Sequence, residues 1–168
     1  MIKYMPEMTG VVMEEIPDKV TLAVDITNCR GVCEGCHSPF LRLDTGSPLT
    51  PEAVETLISD NFGVNCFLFL GEGNDREALM SLAHWIRDRW PSLALALYSG
   101  REQVEDDIFR LFDYVKTGPY RSDRGPLNNP STNQRLYRVH HASGSYSLED
   151  ITSRFWRRRT DAGKSDHK

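Results

Sequence analysis

The stretch "KVTLAVDITNCRGVCEGCH" (residues 19–37) joins a strand-like segment to a group of cysteines. Residues 19–27 are rich in β-branched and apolar side chains and predict a strand. Directly after them come Cys29, Cys33 and Cys36, three of the chain's four cysteines, with His37 following. The stretch therefore predicts a metal or redox site at the end of the first strand of a sheet.

Two familiar sites compete for these cysteines. Cys-x-x-Cys-His is the spacing that attaches a c-type haem, but it leaves Cys29 without a role. A structural zinc site needs four ligands, and the adjacent Cys36 and His37 rarely reach the same ion. No second pair of ligands appears downstream. Neither a haem site nor a zinc site accounts fully for the three cysteines.

An iron–sulfur cluster explains all three cysteines. A four-iron cluster takes one thiolate for each iron, so three cysteines leave one iron open, as a catalytic metal site requires. Gly31 and Gly35 allow the loop to approach the cluster closely. Cys66 lies inside the apolar run "NCFLFL" and is expected to be a buried core residue and not a ligand.

Length and composition limit the class of protein. The chain has 168 residues, 39% of them hydrophobic, and a formal net charge of −4. These values predict one globular domain (residues 1–156) followed by a basic tail (residues 157–168), with no charge that favours nucleic acid or membranes. The acids Glu7, Glu14 and Glu15 interrupt any signal-peptide core, so we expect a cytoplasmic protein with reduced thiols.

Strand-like and helix-like segments alternate along the chain. The stretches "NCFLFL", "LALALYSG" and "DYVKTG" predict buried strands, and "VVMEEI" predicts a partner that pairs with the first strand as a hairpin. Helices are predicted at "TPEAVETLISD" with Thr50 as N-cap, at "NDREALMSLAHWIRDRW" with Asn74 as N-cap, at "EQVEDDIFRLF", and at "SLEDITSRFW" with Ser147 as N-cap. The pattern predicts an α/β fold with a largely parallel sheet.

The residues suited to chemistry follow the predicted strands. The cysteines follow the first strand, "GEGND" follows the second, and "YSG" follows the third. Because function in parallel sheets collects at the carboxyl ends of the strands, we expect these segments to meet at one edge.

These motifs resemble those of the radical S-adenosylmethionine enzymes, which have a Cys-x3-Cys-x2-Cys motif after a first strand. More narrowly, the chain resembles the activating proteins of anaerobic ribonucleoside-triphosphate reductase, over about residues 21–139. The matching stretches are "NCRGVCEGCHSPFL", "LGEGND", "YSG", "VKTGPY" and "STNQRLY". The resemblance implies a partial, incomplete βα barrel, since a complete barrel takes about 250 residues.

The resemblance also implies a [4Fe-4S] cluster and S-adenosyl-L-methionine as cofactors. Cys29, Cys33 and Cys36 would hold three irons, and the amino and carboxylate groups of S-adenosylmethionine would chelate the fourth. Residues expected to contact this cofactor are Gly35, Cys36, His37, Gly71, Glu72 and Ser99. Where the family has a Gly-Gly-acid-Pro stretch, this chain retains only the second glycine and the acid, as Gly71 and Glu72.

The function implied by the resemblance is that of a glycyl-radical-enzyme activase. Its partner would be the large subunit of anaerobic ribonucleoside-triphosphate reductase, and its electron donor a flavodoxin- or ferredoxin-type protein. Two alternatives stay open: a small radical enzyme acting on a small molecule, such as a deazapurine-type synthase, and a non-catalytic iron–sulfur or zinc module.

Several polar residues have no assigned role at this point. Asp113 and Lys116 flank the predicted fourth strand and need partners if they are buried, either each other or the cofactor. His84, His140 and His141 lie outside any motif and are expected to be packing or surface residues. The arginines at 154 and 157–159 are expected to form a solvated terminus.

Overall fold

A computed structural model describes residues 1–31, 33, 35–36 and 38–156, and it shows a mixed α/β fold. Within these residues the helices are α1 (Pro51–Asp60), α2 (Arg76–Arg89) and α3 (Asp106–Leu111). The strands are β1 (Lys3–Tyr4), β2 (Gly10–Val12), β3 (Thr21–Asp25), β4 (Ser47–Pro48), β5 (Cys66–Leu70), β6 (Ala94–Tyr98), β7 (Tyr114–Thr117), β8 (Arg135–Ala142) and β9 (Ser145–Asp150).

Seven of these strands form one sheet in the order β2-β3-β5-β6-β7-β8-β9. The four central strands β3, β5, β6 and β7 are parallel, and β2, β8 and β9 add antiparallel edges. The predicted α/β class and the pairing of β2 with β3 are therefore confirmed. The short strands β1 and β4 pair separately.

The central sheet is buried on both faces, which explains its continuous apolar sequence. On one face Leu22, Phe67 and Leu95 lie in one row and pack with the core beneath the helices. On the other face the row of Ala23, Leu68 and Ala96 packs in a second, smaller core. Ile16 and Ile151 complete that second core.

The N-cap residue of one helix is the predicted one, and that of another helix is not. Thr50 caps α1 as predicted, and its side chain accepts a hydrogen bond from Ala53 N at 3.1 Å. At α2 the predicted cap Asn74 is wrong, because the carboxylate of Asp75 accepts from Ala78 N at 3.0 Å. Asp75 directly precedes the first helical residue, which is the position a capping side chain needs.

The predicted last helix is also wrong. Ser147 lies in β9, opposite His140 of β8, and a short 3₁₀ helix follows at Thr152–Phe155. The reason is the two-residue turn before β9, where Gly144 has a φ of 74° that suits a hairpin. The predicted third helix is shortened, since α3 begins only at Asp106 and Val104 precedes it.

In the part of the chain that the structure describes, no helix has the length and apolar character that crossing a membrane requires.

Candidate functional site

The carboxyl ends of the parallel strands meet at one edge of the sheet. Asp25 pairs with Leu70, Leu70 with Tyr98, and Tyr98 with Lys116, so these four residues form a single row. The cysteine loop, the segment 71–75 and the segment 99–101 all leave the sheet at this row. The prediction that they share one edge is confirmed.

All three cysteines of the motif line one small cavity of about 80 Å³. Gly31 lies between two of them: a Cβ placed on Gly31 would stand 3.3 Å from the Sγ of Cys29 and 3.8 Å from the Sγ of Cys33. A side chain at position 31 would therefore compete for the space in front of both sulfur atoms. The glycine keeps this space open for whatever the sulfurs bind.

Backbone hydrogen bonds hold the cysteine loop in place. Cys29 N donates to Leu41 O at 2.9 Å, and Cys36 N donates to Cys33 O at 3.3 Å. The guanidinium of Arg42 donates to Cys33 O at 2.9 Å. The loop is thus fastened to the segment that follows it, independently of any bound group.

Two sulfur atoms accept backbone N–H groups. Gly31 N lies 3.4 Å from the Sγ of Cys29, and Ser38 N lies 3.4 Å from the Sγ of Cys36. Hydrogen bonds to sulfur are one of the means by which proteins adjust the charge and potential of iron–sulfur clusters. All three thiols are half-buried and free of disulfides.

The donor set agrees with a cluster on chemical grounds. Within the described residues, His, Cys, Asp and Glu do not gather in any group of three suited to one metal ion. A single zinc ion draws every sulfur to about 2.3 Å from one point, whereas a four-iron cluster binds each thiolate at a different iron. Three half-buried thiols that line one cavity with Gly31 and Gly71 are the donor type that iron–sulfur clusters take. His37, also expected here, lies outside the described residues.

Glu72 lies just past this edge, and both of its carboxylate oxygens accept hydrogen bonds. Ser99 Oγ donates to its Oε2 at 2.7 Å, and Arg101 donates to Oε1 at 2.6 Å and to Oε2 at 3.0 Å. The Glu72 side chain is only 18% exposed. The structure thus brings the predicted residues Glu72 and Ser99 together, and it adds Arg101, which the sequence analysis missed. The sequence signal for it was an arginine three positions past the end of β6.

Arg101 bridges Glu72 to a second acid. Its guanidinium also donates to both oxygens of Glu105, at 2.7 and 2.8 Å. The hydrogen bonds from Arg101 lower the pKa of Glu105 to about 2, and the two acids raise the pKa of Arg101 above its ordinary value. The Nε of Arg76 lies 3.6 Å from Oε2 of Glu105. The four side chains form a line of alternating charge.

A cavity of about 420 Å³ lies between the cysteines and this line of charges. We call it the arginine cavity, because three arginines and one acid line it: Arg30, Arg76, Arg101 and Glu72. Its other walls include Gly71, which was predicted to lie here. A cavity with this volume and this charge suits a small polar ligand that carries both a carboxylate and an ammonium group.

A second and larger cavity of about 710 Å³ lies on the other side of Cys33. We call it the loop cavity, because the segment 119–123 forms much of its wall. Gly35, predicted to contact the cofactor, lies by this segment: a Cβ on Gly35 would stand 3.5 Å from the ring of Tyr120 and 3.7 Å from Ser122.

Lys116 belongs to the same edge, and it is 8% exposed. Its Nζ donates to Gly118 O at 3.1 Å and lies 5.5 Å from the centre of the Tyr98 ring. Burial lowers the pKa of Lys116 to about 8, while the charges of Cys33 and other nearby acids oppose this shift. Lys116 therefore places a positive charge beside the cysteines.

Asp113 lies at the opposite end of the sheet. Its carboxylate accepts from Arg87 at 2.6 Å and from Leu95 N at 2.9 Å. The expectation that Asp113 pairs with Lys116 is therefore wrong. Three positions separate the two residues along a strand, so their side chains point to opposite faces.

Cys66 is fully buried at the amino end of β5, between Thr21 and Ala94. Burial raises the pKa of its thiol to about 12. Four residues of strand, about 13 Å, separate it from the edge where the other cysteines lie. The prediction that it is a core residue is confirmed.

The remaining polar residues lie in surface pairs or outside the site. His140 lies 3.1 Å from Glu149, and Arg154 lies 2.5 Å from Asp18. His84 is exposed on α2, and Arg157, Arg158 and Arg159 lie outside the described residues.

Comparisons of the chain with protein-family models, with curated proteins and with solved structures found no match.

Proposed function

We propose that this chain is a radical S-adenosylmethionine enzyme that activates a glycyl-radical enzyme, the anaerobic ribonucleoside-triphosphate reductase. The observation that carries the proposal is the position of Cys29, Cys33 and Cys36. They follow the first parallel strand and line one cavity. This cavity borders the arginine cavity, whose wall carries both positive and negative charges. The whole set lies at the edge of the sheet where parallel folds place their function.

In this proposal the three cysteines hold a [4Fe-4S] cluster and leave one iron open. Such a cluster, when bound and reduced by a flavodoxin- or ferredoxin-type donor, would supply the electron for cleavage of a carbon–sulfur bond of S-adenosylmethionine. The protein contributes the rest: the N–H groups of Gly31 and Ser38 stabilise the thiolates, and Lys116 offsets their negative charge.

The arginine cavity is the proposed site of S-adenosylmethionine. Glu72 would accept a hydrogen bond from its ammonium group, a charge-assisted contact suited to a carboxylate at a strand end. Its Oε1 accepts a hydrogen bond from Arg101 and has the capacity for a second. Arg101 keeps its second contact, with Glu105, and remains in the cavity as a partner for the cofactor's carboxylate.

The shape of the sheet supports a macromolecular substrate. Four parallel strands with antiparallel edges form half or less of a complete eight-stranded barrel. We infer an incomplete barrel whose open side admits a loop of a large partner. The rival function, a deazapurine-type synthase, needs a more enclosed site for a small molecule. The rival non-catalytic module leaves the arginine cavity without a role.

The test is anaerobic reconstitution of the protein with iron and sulfide, followed by S-adenosylmethionine and a one-electron reductant. We expect 5′-deoxyadenosine to form in the reconstituted protein and not in a Cys33→Ala variant. A Cys66→Ala variant serves as the matched control and keeps the activity. Absence of 5′-deoxyadenosine from a protein with a full cluster contradicts the proposal, and turnover of a purine precursor without a partner favours the synthase.

A further inference from the structure

A cavity of about 370 Å³ lies at the amino end of the parallel strands, opposite the cysteine edge. Its wall includes Ala94, the first residue of β6, and Tyr114, the first residue of β7. We call it the amino-end cavity. Among the residues that line it, basic side chains outnumber the one acid, Asp113: Lys19, Arg87, Arg138, His140 and His141. The proposed function uses no residue of this cavity, so the cavity can be tested separately.

Two cations of this wall, Lys19 and Arg138, are left without an acid of their own. Three acids lie in the wall or next to its residues, and each has another base as its partner: Asp113 with Arg87 at 2.6 Å, Glu149 with His140 at 3.1 Å, and Asp18 with Arg154 at 2.5 Å. Within the part of the chain that the structure describes, neither Lys19 nor Arg138 forms an ion pair. Two unpaired cations at one cavity produce a potential that attracts an anion.

Tyr114 adds a buried hydroxyl group to these cations. Tyr114 is 6% exposed, and among the described residues its Oη has no hydrogen-bond partner, although buried tyrosine hydroxyls usually find one. Tyr114 and Arg138 lie directly opposite each other on β7 and β8, so their side chains share one face of the sheet. Burial raises the pKa of the Tyr114 phenol, and the positive charge of Arg138 opposes this rise. The cavity therefore has a hydroxyl donor beside a guanidinium.

The number and type of these donors match a phosphate group. Two unpaired cations balance the charge of about −1.5 to −2 that a phosphate monoester carries near pH 7, whereas a carboxylate would leave one cation unbalanced. A guanidinium can bind two phosphate oxygens at once, and a lysine binds phosphate as a point charge. The Tyr114 hydroxyl can donate to another oxygen. The volume of the cavity is near the lower end of the range for small-molecule sites.

We propose that the amino-end cavity binds a phosphate group, free or carried by a small metabolite, through Lys19, Arg138 and the Tyr114 hydroxyl. The pair of Arg87 and Asp113 fixes the wall behind the phosphate, because Arg87 also donates to the backbone oxygens of two neighbouring segments. The site binds its ligand without a reaction. It lies at the opposite end of the strands from the cysteines and does not depend on the proposed function.

Isothermal titration calorimetry on the full chain, in a buffer without phosphate, tests the site. The probes are inorganic phosphate, ribose 5-phosphate and AMP, with acetate as a singly charged comparison. Lys19→Gln and Arg138→Gln each remove one charge, and Tyr114→Phe removes only the hydroxyl. Arg124→Gln, which changes an exposed arginine outside the cavity, is the matched control. Urea unfolding of each variant shows whether it keeps the fold.

We expect Lys19→Gln and Arg138→Gln each to weaken phosphate binding about 10- to 100-fold, the loss expected when a hydrogen bond to a charged group is removed. Tyr114→Phe should weaken it about 2- to 10-fold, because the lost donor is neutral. Arg138→Lys keeps the charge and loses the planar fork, so its affinity should lie between those of wild type and Arg138→Gln. Arg124→Gln should bind the probes as the wild type does.

The three phosphate probes distinguish the sources of the group. Tighter binding of ribose 5-phosphate or AMP than of inorganic phosphate identifies a small organic phosphate as the ligand. Equal affinities identify phosphate itself.

Three outcomes contradict the inference. The first is that no phosphate probe binds, and the second is that acetate binds as tightly as phosphate. The third is that Lys19→Gln and Arg138→Gln both keep the wild-type affinity. In that case Arg76→Gln decides where the anion lies, because loss of binding in this variant places it in the arginine cavity.

Discussion

The two ends of the parallel strands carry the same types of residue and use them differently. At the carboxyl end lie three cysteines and the pair Glu72–Arg101; at the amino end lie Cys66 and the pair Asp113–Arg87. The first cysteines are half-buried around an open space, while Cys66 is enclosed in the core. Residue type alone therefore does not predict whether a side chain lines a cavity or is enclosed in the core.

The two acid–arginine pairs show the same difference. Arg87 also donates to the backbone oxygens of Leu93 and Leu111, so it fastens α2 to neighbouring chain segments. Arg101 instead joins two acids at the rim of a cavity. The pair at the amino end ties the backbone together, and the pair at the carboxyl end is available to a ligand.

The largest expected effect concerns the cysteines. Replacing Cys29, Cys33 or Cys36 with alanine should remove most of the iron bound after anaerobic reconstitution, because each thiolate holds one iron. Cys66→Ala should leave the iron content unchanged. Iron and sulfide analysis with visible absorption spectra measures this, and equal loss from Cys66→Ala would break the contrast between the two ends.

The second effect concerns ligand binding at the carboxyl end. Glu72→Gln keeps the size of the side chain and removes its charge. It should weaken S-adenosylmethionine binding to the reconstituted protein by about 1.5–3 kcal/mol, the range for a hydrogen bond to a charged group. Equilibrium dialysis gives the affinity, with Glu77→Gln on the exposed face of α2 as control. Unchanged affinity would place the ammonium group elsewhere.

The third effect concerns stability at the amino end. Asp113→Ala should lower the free energy of unfolding by about 1–3 kcal/mol, since it leaves Arg87 and Leu95 N without their partner. Asp107→Ala, which removes a far more exposed partner of Arg76, should cost less than about 1 kcal/mol. Urea unfolding monitors both. Similar losses from the two variants would mean that the pair at the amino end has no structural role.

The smallest effect concerns Asp25, at the carboxyl end of β3. Burial, together with the charge of Glu15, raises the pKa of Asp25 to about 6 from an ordinary 3.8. The folded state holds this proton more tightly than the unfolded state, so stability falls as pH rises from about 4 to about 6. Asp25→Asn removes this loss. It should stabilise the protein at pH 7 by about 1–2 kcal/mol, a range that is reduced because Asp25 is only half-buried.

Urea unfolding between pH 4 and pH 8 checks the Asp25 prediction. The variant should show a flatter dependence on pH in the window between 4 and 6, and Glu15→Gln should shift the window downward. A variant that is less stable than the wild type at pH 7 would show that the Asp25 carboxylate has a favourable partner. The contrast with Asp113, whose removal destabilises, would then disappear.

Local sequence was sufficient to predict the buried strands and the start of α1. The apolar runs of β5, β6 and β7 predicted strands buried on both faces, and Thr50 with Pro51 predicted the start of α1. The prediction of the last helix was wrong because the segment pairs with another strand. Residues 145–150 pair as a strand with β8 across the turn at Gly144, although their sequence has a helical pattern.

Order along the chain was enough to predict which residues follow the strands, and hence that the cysteines, Glu72 and Ser99 share one edge. This was possible because parallel strands put their carboxyl ends together, so order along the chain becomes position in space. What each of these residues faces depends instead on the tertiary structure. It paired Glu72 with Arg101, sent Asp113 to Arg87, and opened a second cavity beside Cys33. Contacts between side chains on different elements depend on the packing of whole elements, and spacing along one chain does not contain them.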